Sequence, residues 1–71
     1  MANRITVSIC GGDYTLLAEE NRSYMQKVAA LVDGKMSEIM ASGRVSRTDA
    51  AVLAAANLAD ELLKQQASTE S

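Results

Sequence analysis

The segment from Asp49 to Leu63, DAAVLAAANLADELL, is apolar on almost every side of the helix that it would form. A helix on the surface of a monomer shows one apolar stripe, whereas a helix that is apolar all round must be covered on more than one side. In a chain of 71 residues the other elements cover about half of such a helix, and the rest exceeds the few hundred Å² that monomers normally expose. The segment therefore predicts association with a second copy of the chain, since two-fold dimers are the commonest assemblies.

The predicted dimer interface consists of apolar residues and one asparagine on this helix. They are Val52, Leu53, Ala55, Ala56, Asn57, Ala59, Leu62 and Leu63. Alanine has the highest helix propensity, so a merely stable helix is the alternative, although propensity does not explain the leucines and Val52. Asn57 has two interpretations: it fixes the register across the interface, or it bonds to nearby backbone.

The composition lacks the other usual stabilisers of a small domain. The chain has one cysteine and no histidine, so neither a disulfide nor a metal site is well supplied. Its net charge of −2 argues against a general nucleic-acid binder, which normally has a basic excess. The sequence has no signal-peptide pattern and no run long enough to span a bilayer, which predicts a cytosolic protein without a membrane partner.

Alternating apolar residues on both sides of Gly11 and Gly12 predict a β-hairpin. A two-residue loop of these glycines suits a primed turn, because glycine reaches positive φ without steric penalty. With that loop, Cys10 lies opposite Asp13 and six apolar side chains share one face of the hairpin. The predicted pairs are Ile9 with Tyr14, Val7 with Leu16, and Ile5 with Ala18.

A first helix follows the hairpin. Apolar residues at spacings of three and four predict it from about Glu20 to Met40. Asn21 or Glu19 is the candidate cap at its start, and Gly43 is the candidate cap at its end.

The second helix is predicted from about Arg47 to Gln66. Ser46 and Asp49 form an S-x-x-D start signal close to a capping box. Residues 68–71 are small and polar and are expected to fray. The predicted fold class is α+β: a β-hairpin followed by two helices (ββαα) that forms a homodimer through the second helix.

The sequence shows no catalytic constellation. It has no histidine for general base catalysis, no Cys/His metal spacing, no G-x-S-x-G and no phosphate loop. Cys10 has no Lys, Arg or His beside it, which favours a packed small residue over a nucleophile. We therefore expect no enzyme activity, and no metal or cofactor.

Three blocks of sequence occur in a specific order. VSICGGDYTL contains a V-x-I-x-G-x-x-Y pattern, VAALVDGKMSEI follows at helical distance, and AVLAAANLADELL closes the domain. Over about residues 4–65 they resemble the ZapA family of bacterial cell-division proteins. The resemblance implies a ZapA-like head domain at residues 1–67. It also implies a cytoplasmic homodimer without activity or cofactor, which binds FtsZ and cross-links or bundles its protofilaments in the Z-ring at the midcell septum.

The chain differs from that family pattern in two ways. In the family the second helix continues as a coiled coil that joins dimers into antiparallel tetramers, whereas this sequence ends at Ser71. We therefore expect a head domain without its coiled coil, and a dimer in place of a tetramer. Gly12 also stands where some relatives carry a basic residue implicated in FtsZ contact, so that contact does not transfer to this chain.

Charged residues near the hairpin tip and the helix junction are candidates for contacting the partner. They are Asp13, Arg44, Arg47 and Asp49. Each is equally compatible with an ordinary solvated loop, and Asp49 with a helix cap. Two competing functions are a homodimeric adaptor whose partner is not FtsZ and a small nucleic-acid binder that uses the clustered Arg44 and Arg47.

Overall fold

The fold is a two-stranded antiparallel hairpin followed by two helices. The computed structural model describes the backbone of residues 2–70 and the side chains of residues 2–67. The strands are β1 (Asn3–Ile9) and β2 (Gly12–Ala18), and the helices are α1 (Arg22–Ala41) and α2 (Arg47–Glu70). The predicted ββαα order is confirmed, and α2 continues past the expected end at Gln66. The predicted fraying of residues 68–71 stays a prediction.

The hairpin turn differs from the predicted one. Cys10 and Gly11, with φ values of 48° and 80°, form the two-residue loop, and Ile9 pairs with Gly12. The prediction of a Gly11-Gly12 loop was wrong, and Val7 lies opposite Tyr14. The register is displaced by two residues, and side chains alternate with a period of two, so the same six apolar side chains still share one face.

A contact with α1 explains why a cysteine occupies a left-handed turn position. The Cys10 backbone N–H donates a hydrogen bond of 3.1 Å to Asp33 Oδ2, and the Ser37 hydroxyl donates to Asp33 Oδ1 at 3.1 Å. Left-handed φ is unfavourable for most residues other than glycine. The charged hydrogen bond offsets that cost and fixes the hairpin tip to the middle of α1.

Asp33→Ala is expected to lower the free energy of unfolding by about 1–2 kcal/mol, because both of these hydrogen bonds are lost. The exchange of the Cys10 amide hydrogen should become faster in the variant. Urea unfolding and hydrogen exchange measure the two effects. Glu38→Ala is the matched control, since Glu38 is an exposed acidic residue on the same helix. Equal stability of the two variants would contradict the role given to Asp33.

The apolar core consists of two small clusters that follow each other along the same side of α1, two turns apart. In the first, Ile5 and Val7 of β1 pack on Ala29. In the second, Met36 of α1 packs against α2 at Ala50 and Ala54. Helix α1 contacts β1 and α2, so it is the central element of the chain. The molecule is only 15 Å thick in its shortest dimension.

Side-chain caps set the ends of α1. Asn21 Oδ1 accepts a hydrogen bond of 2.8 Å from the Tyr24 backbone N–H, which confirms Asn21 as the N-cap. At the other end the Ser42 hydroxyl donates to the Ile39 carbonyl at 2.8 Å. The expectation that Gly43 closes this helix was wrong, because Ser42 is the C-cap and Gly43 does not have a positive φ.

Helix α2 starts where the sequence predicts it. The Ser46 hydroxyl accepts a hydrogen bond of 3.1 Å from the Asp49 backbone N–H.

Lys35 of α1 and Glu61 of α2 form a salt bridge between the helices. The hydrogen bond with Glu61 raises the pKa of Lys35 above its ordinary value of 10.5. The contribution of this salt bridge to the stability of the fold is therefore present at neutral pH, and it is lost as the pH rises through the folded-state pKa of Lys35.

Candidate functional site

One face of α2 packs against α1. Ala50 and Ala54 are almost completely buried, at 0% and 1% exposure, and Leu58, four residues further on, is half-buried. Small side chains at a helix contact let the two axes approach closely, so the contact is made with little side-chain volume. This stripe occupies the part of α2 that the single chain covers.

The opposite face of α2 carries a second apolar stripe that none of the described side chains covers. Val52, Ala56, Ala59 and Leu63 recur at spacings of four, three and four, which places them along one line of the helix. Val52 and Leu63 are each 63% exposed. The stripe spans about 17 Å at 1.5 Å per residue. It is suited to pack against another helix.

All eight residues predicted for the dimer interface are exposed in the single chain. Leu53 and Leu62 lie on the two flanks of the stripe, and both are also exposed. The Asn57 side chain is exposed, and among the described side chains it forms no hydrogen bond. Asn57 therefore does not bond to nearby backbone in the single chain, and its role in register stays a prediction.

The exposed apolar surface continues onto α1, which the sequence reasoning missed. Leu31 is 57% exposed and borders a groove between the helices together with Val28, Val32, Leu58 and Leu62. Leu31 lies off the main apolar stripe of α1. A large apolar residue at such a position was the available signal for a second contact surface.

A second apolar groove lies below β2, because α1 packs under β1 and leaves the inner side of β2 largely open. Tyr14 and Leu16 line this groove with Met36, and Arg47 and Thr48 from the start of α2 lie at its border. Tyr14 is 43% exposed despite its place on the inner face of the hairpin. The groove is an apolar surface with one cation beside it.

The structure divides the four predicted partner-binding residues among three places. Arg44 and Asp49 line a shallow pocket with Leu53, at the edge of the apolar face of α2. Arg47 lies at the groove below β2 and reaches the hairpin tip near Gly11. Asp13, although it is near the hairpin tip, lines a separate groove beside β1. Arg44, Arg47 and Asp49 lie at or just before the start of α2, and none of them lines the groove of Asp13.

The described part of the chain has few side chains placed for catalysis or metal binding. Cys10 is a free thiol, partly buried at the hairpin tip. Residues 2–67 contain no group of three side chains able to hold a metal ion. Neither helix, over its described length, is long and apolar enough to cross a membrane.

Comparison with known proteins decides the family. The profile described as cell division protein ZapA matches residues 5–71. The chain belongs to the ZapA family. The cell division protein ZapA of Halalkalibacterium halodurans is 42% identical over 62 residues, which are 86% of this chain and 68% of the relative. ZapA of Geobacillus thermodenitrificans has the same identity and coverage. These ZapA relatives are named as cell-division proteins and not as enzymes.

Solved structures agree with the ZapA assignment. A ZapA mutant dimer from Geobacillus stearothermophilus is 34% identical, with a TM-score of 0.80 over 99% of this chain and 83% of that one. A conserved protein of unknown function from Pseudomonas aeruginosa PAO1 is 33% identical, with a TM-score of 0.78 over 96% of this chain and 77% of that one. The ZapA head fold is therefore shared along nearly the whole chain.

Proposed function

We propose that the chain forms a homodimer through the apolar face of α2 and cross-links FtsZ protofilaments in the division ring at midcell. The observation that carries the proposal is the uncovered stripe from Val52 to Leu63 in a member of the ZapA family. A stable interface normally buries about 800 Å² on each partner. The stripe, its leucine flanks and the adjoining surface at Leu31 form one continuous apolar area for a second copy.

Such a cross-linker needs only two binding sites on one particle. A dimer with two-fold symmetry presents two copies of every surface, so it binds two filament subunits at once. The second binding event becomes intramolecular, and two weak sites together hold more strongly than either site alone. No catalytic step is required, in keeping with the lack of a catalytic constellation in the sequence.

The surface proposed to contact FtsZ lies at the end of the molecule where α2 begins. Arg44 and Arg47 are both exposed there, on either side of the N-cap Ser46. Arginine is well suited to such a role, because its planar guanidinium forms paired hydrogen bonds with carboxylates. Charges at the rim of an interface also accelerate the encounter of the partners.

Co-sedimentation with purified FtsZ polymer tests the proposal. The chain is expected to pellet with FtsZ under polymerising conditions and to increase the fraction of FtsZ that pellets at low speed, since bundles sediment faster than single filaments. Electron microscopy of the same samples should show laterally associated filaments. A dimer that stays in the supernatant would favour the adaptor function with a different partner.

Reversing the charge of Arg44 and Arg47 together, to glutamate, is expected to reduce co-pelleting with FtsZ at least tenfold. The double variant replaces two exposed cations with anions, so repulsion replaces attraction at the contact. Arg22→Glu combined with Lys27→Glu is the matched control, because it changes the net charge equally at exposed positions of α1. Pelleting of the arginine variant at the wild-type level would remove both arginines from the contact surface.

A further inference from the structure

The outer edge of β1 has unpaired backbone groups. In an antiparallel pair, successive residues alternate between bonding to the neighbouring strand and pointing away from it. The turn closes on the bonded pair of Ile9 and Gly12, so every second residue of β1 counted from Ile9 bonds to β2. Arg4, Thr6 and Ser8 therefore direct their N–H and C=O groups away from β2. Such an edge is a template for one more strand.

Helix α1 forms a wall beside this edge. A groove of about 640 Å³ runs between them, with Thr6, Val7 and Ser8 on the strand side. The helix side is built from Gln26, Asp33 and the small residues Ala29, Ala30 and Gly34, and a Cβ added at Gly34 would meet no atom within 4 Å. An edge strand with a helix alongside has room for a single extended segment whose alternate side chains contact the helix.

Acidic side chains give the groove its charge. Asp33 lies on the helix wall, and Asp13 lies at the end near the hairpin tip, while no cationic side chain lines the groove among the described residues. The carboxylate of Asp33 accepts hydrogen bonds from Cys10 and Ser37, so it is held in place. Arg4 is on the strand edge but does not line the groove.

We propose that this groove binds a basic, extended peptide segment of a partner protein, which adds to β1 as a third strand. Backbone hydrogen bonds to Thr6 and Ser8 would supply affinity, and the two aspartates select lysine or arginine. A second copy of the same edge is the alternative occupant, and the assembly size of the chain tests it below. The groove is separate from the α2 face and from the proposed FtsZ contact.

A synthetic peptide tests the binding directly on the full chain. The probe is a fluorescein-labelled peptide of about nine residues that alternates lysine with alanine or valine, long enough to cover the edge at about 3.3 Å per residue. Fluorescence anisotropy is expected to show saturable binding that weakens with salt. The amide hydrogens of Thr6 and Ser8 should exchange more slowly in the complex. The assay contains no FtsZ, so its outcome is independent of the function proposed above.

Gly34→Leu is expected to weaken peptide binding at least tenfold, because the leucine side chain fills the groove. Gly34→Ala is the matched control, since it adds one methyl group and leaves most of the groove open. Both replacements have higher helix propensity than glycine, so neither should unfold α1. Asp13→Asn removes one exposed charge and should weaken binding by a smaller factor.

Three kinds of result would overturn the proposal. The first is no binding of the peptide, or equal binding to Gly34→Leu and the wild type. The second is equal binding of a peptide whose alternate backbone amides are N-methylated, since charge alone would then explain the affinity. The third is an assembly of the chain larger than a dimer that Gly34→Leu breaks up, because a second copy would then occupy the edge.

Discussion

Leu63→Arg is expected to convert the dimer into a monomer of 7.5 kDa at micromolar concentration. Leu63 is the last residue of the exposed stripe on the outward face of α2, opposite the stripe that packs on α1. In a two-fold interface each substitution occurs twice, so two unpaired cations would be buried in every dimer. At about 3 kcal/mol for each buried charge, the dissociation constant rises about 10⁴-fold.

Sedimentation equilibrium measures the mass directly, and Leu17→Arg is the matched control. Leu17 is a leucine of β2 that is 70% exposed and lies on the outer face of the hairpin, away from α2. The control should keep the wild-type mass, and it should still bundle FtsZ in the co-sedimentation assay. A Leu63→Arg chain that remains a dimer would show that the partner contacts another face, such as the groove below β2.

Ala50→Leu is expected to lower the free energy of unfolding by about 2–3 kcal/mol. Ala50 is fully buried where α2 crosses α1, in contact with the cluster around Met36. Three added carbon atoms have no free space there, so the helices must separate or Met36 must leave its rotamer. In a domain of this size the loss corresponds to a fall in melting temperature of about 10–20 °C.

Ala51→Leu is the control for the loss of stability expected in Ala50→Leu. Ala51 is the next residue of α2, and it is exposed at the groove below β2, so a larger side chain there has room. Thermal unfolding followed by circular dichroism, at equal chain concentrations, compares the two variants. If Ala50→Leu melts with the wild type, the close approach of the helices at this point is not a stabilising contact.

The sequence was sufficient for the elements but not for the turn. Alternation at period two and apolar spacing of three and four predict the hairpin and both helices, and Asn21 and Ser46 are strong local capping signals. The choice between a Cys10-Gly11 and a Gly11-Gly12 loop does not follow from local sequence. It depends on Asp33, which is 23 residues away in the chain and binds the Cys10 amide only in the folded molecule.

The sequence predicts that α2 has an interaction face, but it predicts only partly which side of the helix that face occupies. An all-apolar helix predicts that a partner is required, but not which side α1 covers. That side depends on Ala50 and Ala54, which look the same in sequence as the exposed Ala56 and Ala59. The separation of Asp13 from the arginines was also beyond local pattern, since it depends on how the hairpin lies on α1.

The slab-like shape of the single chain affects how much its stability depends on pairing. At 15 Å across, the fold is too thin to enclose a deep interior, and its two core clusters are small and lie along one side of α1. Because the core of one chain is so small, pairing is expected to add to its stability, and the melting temperature should therefore rise with chain concentration.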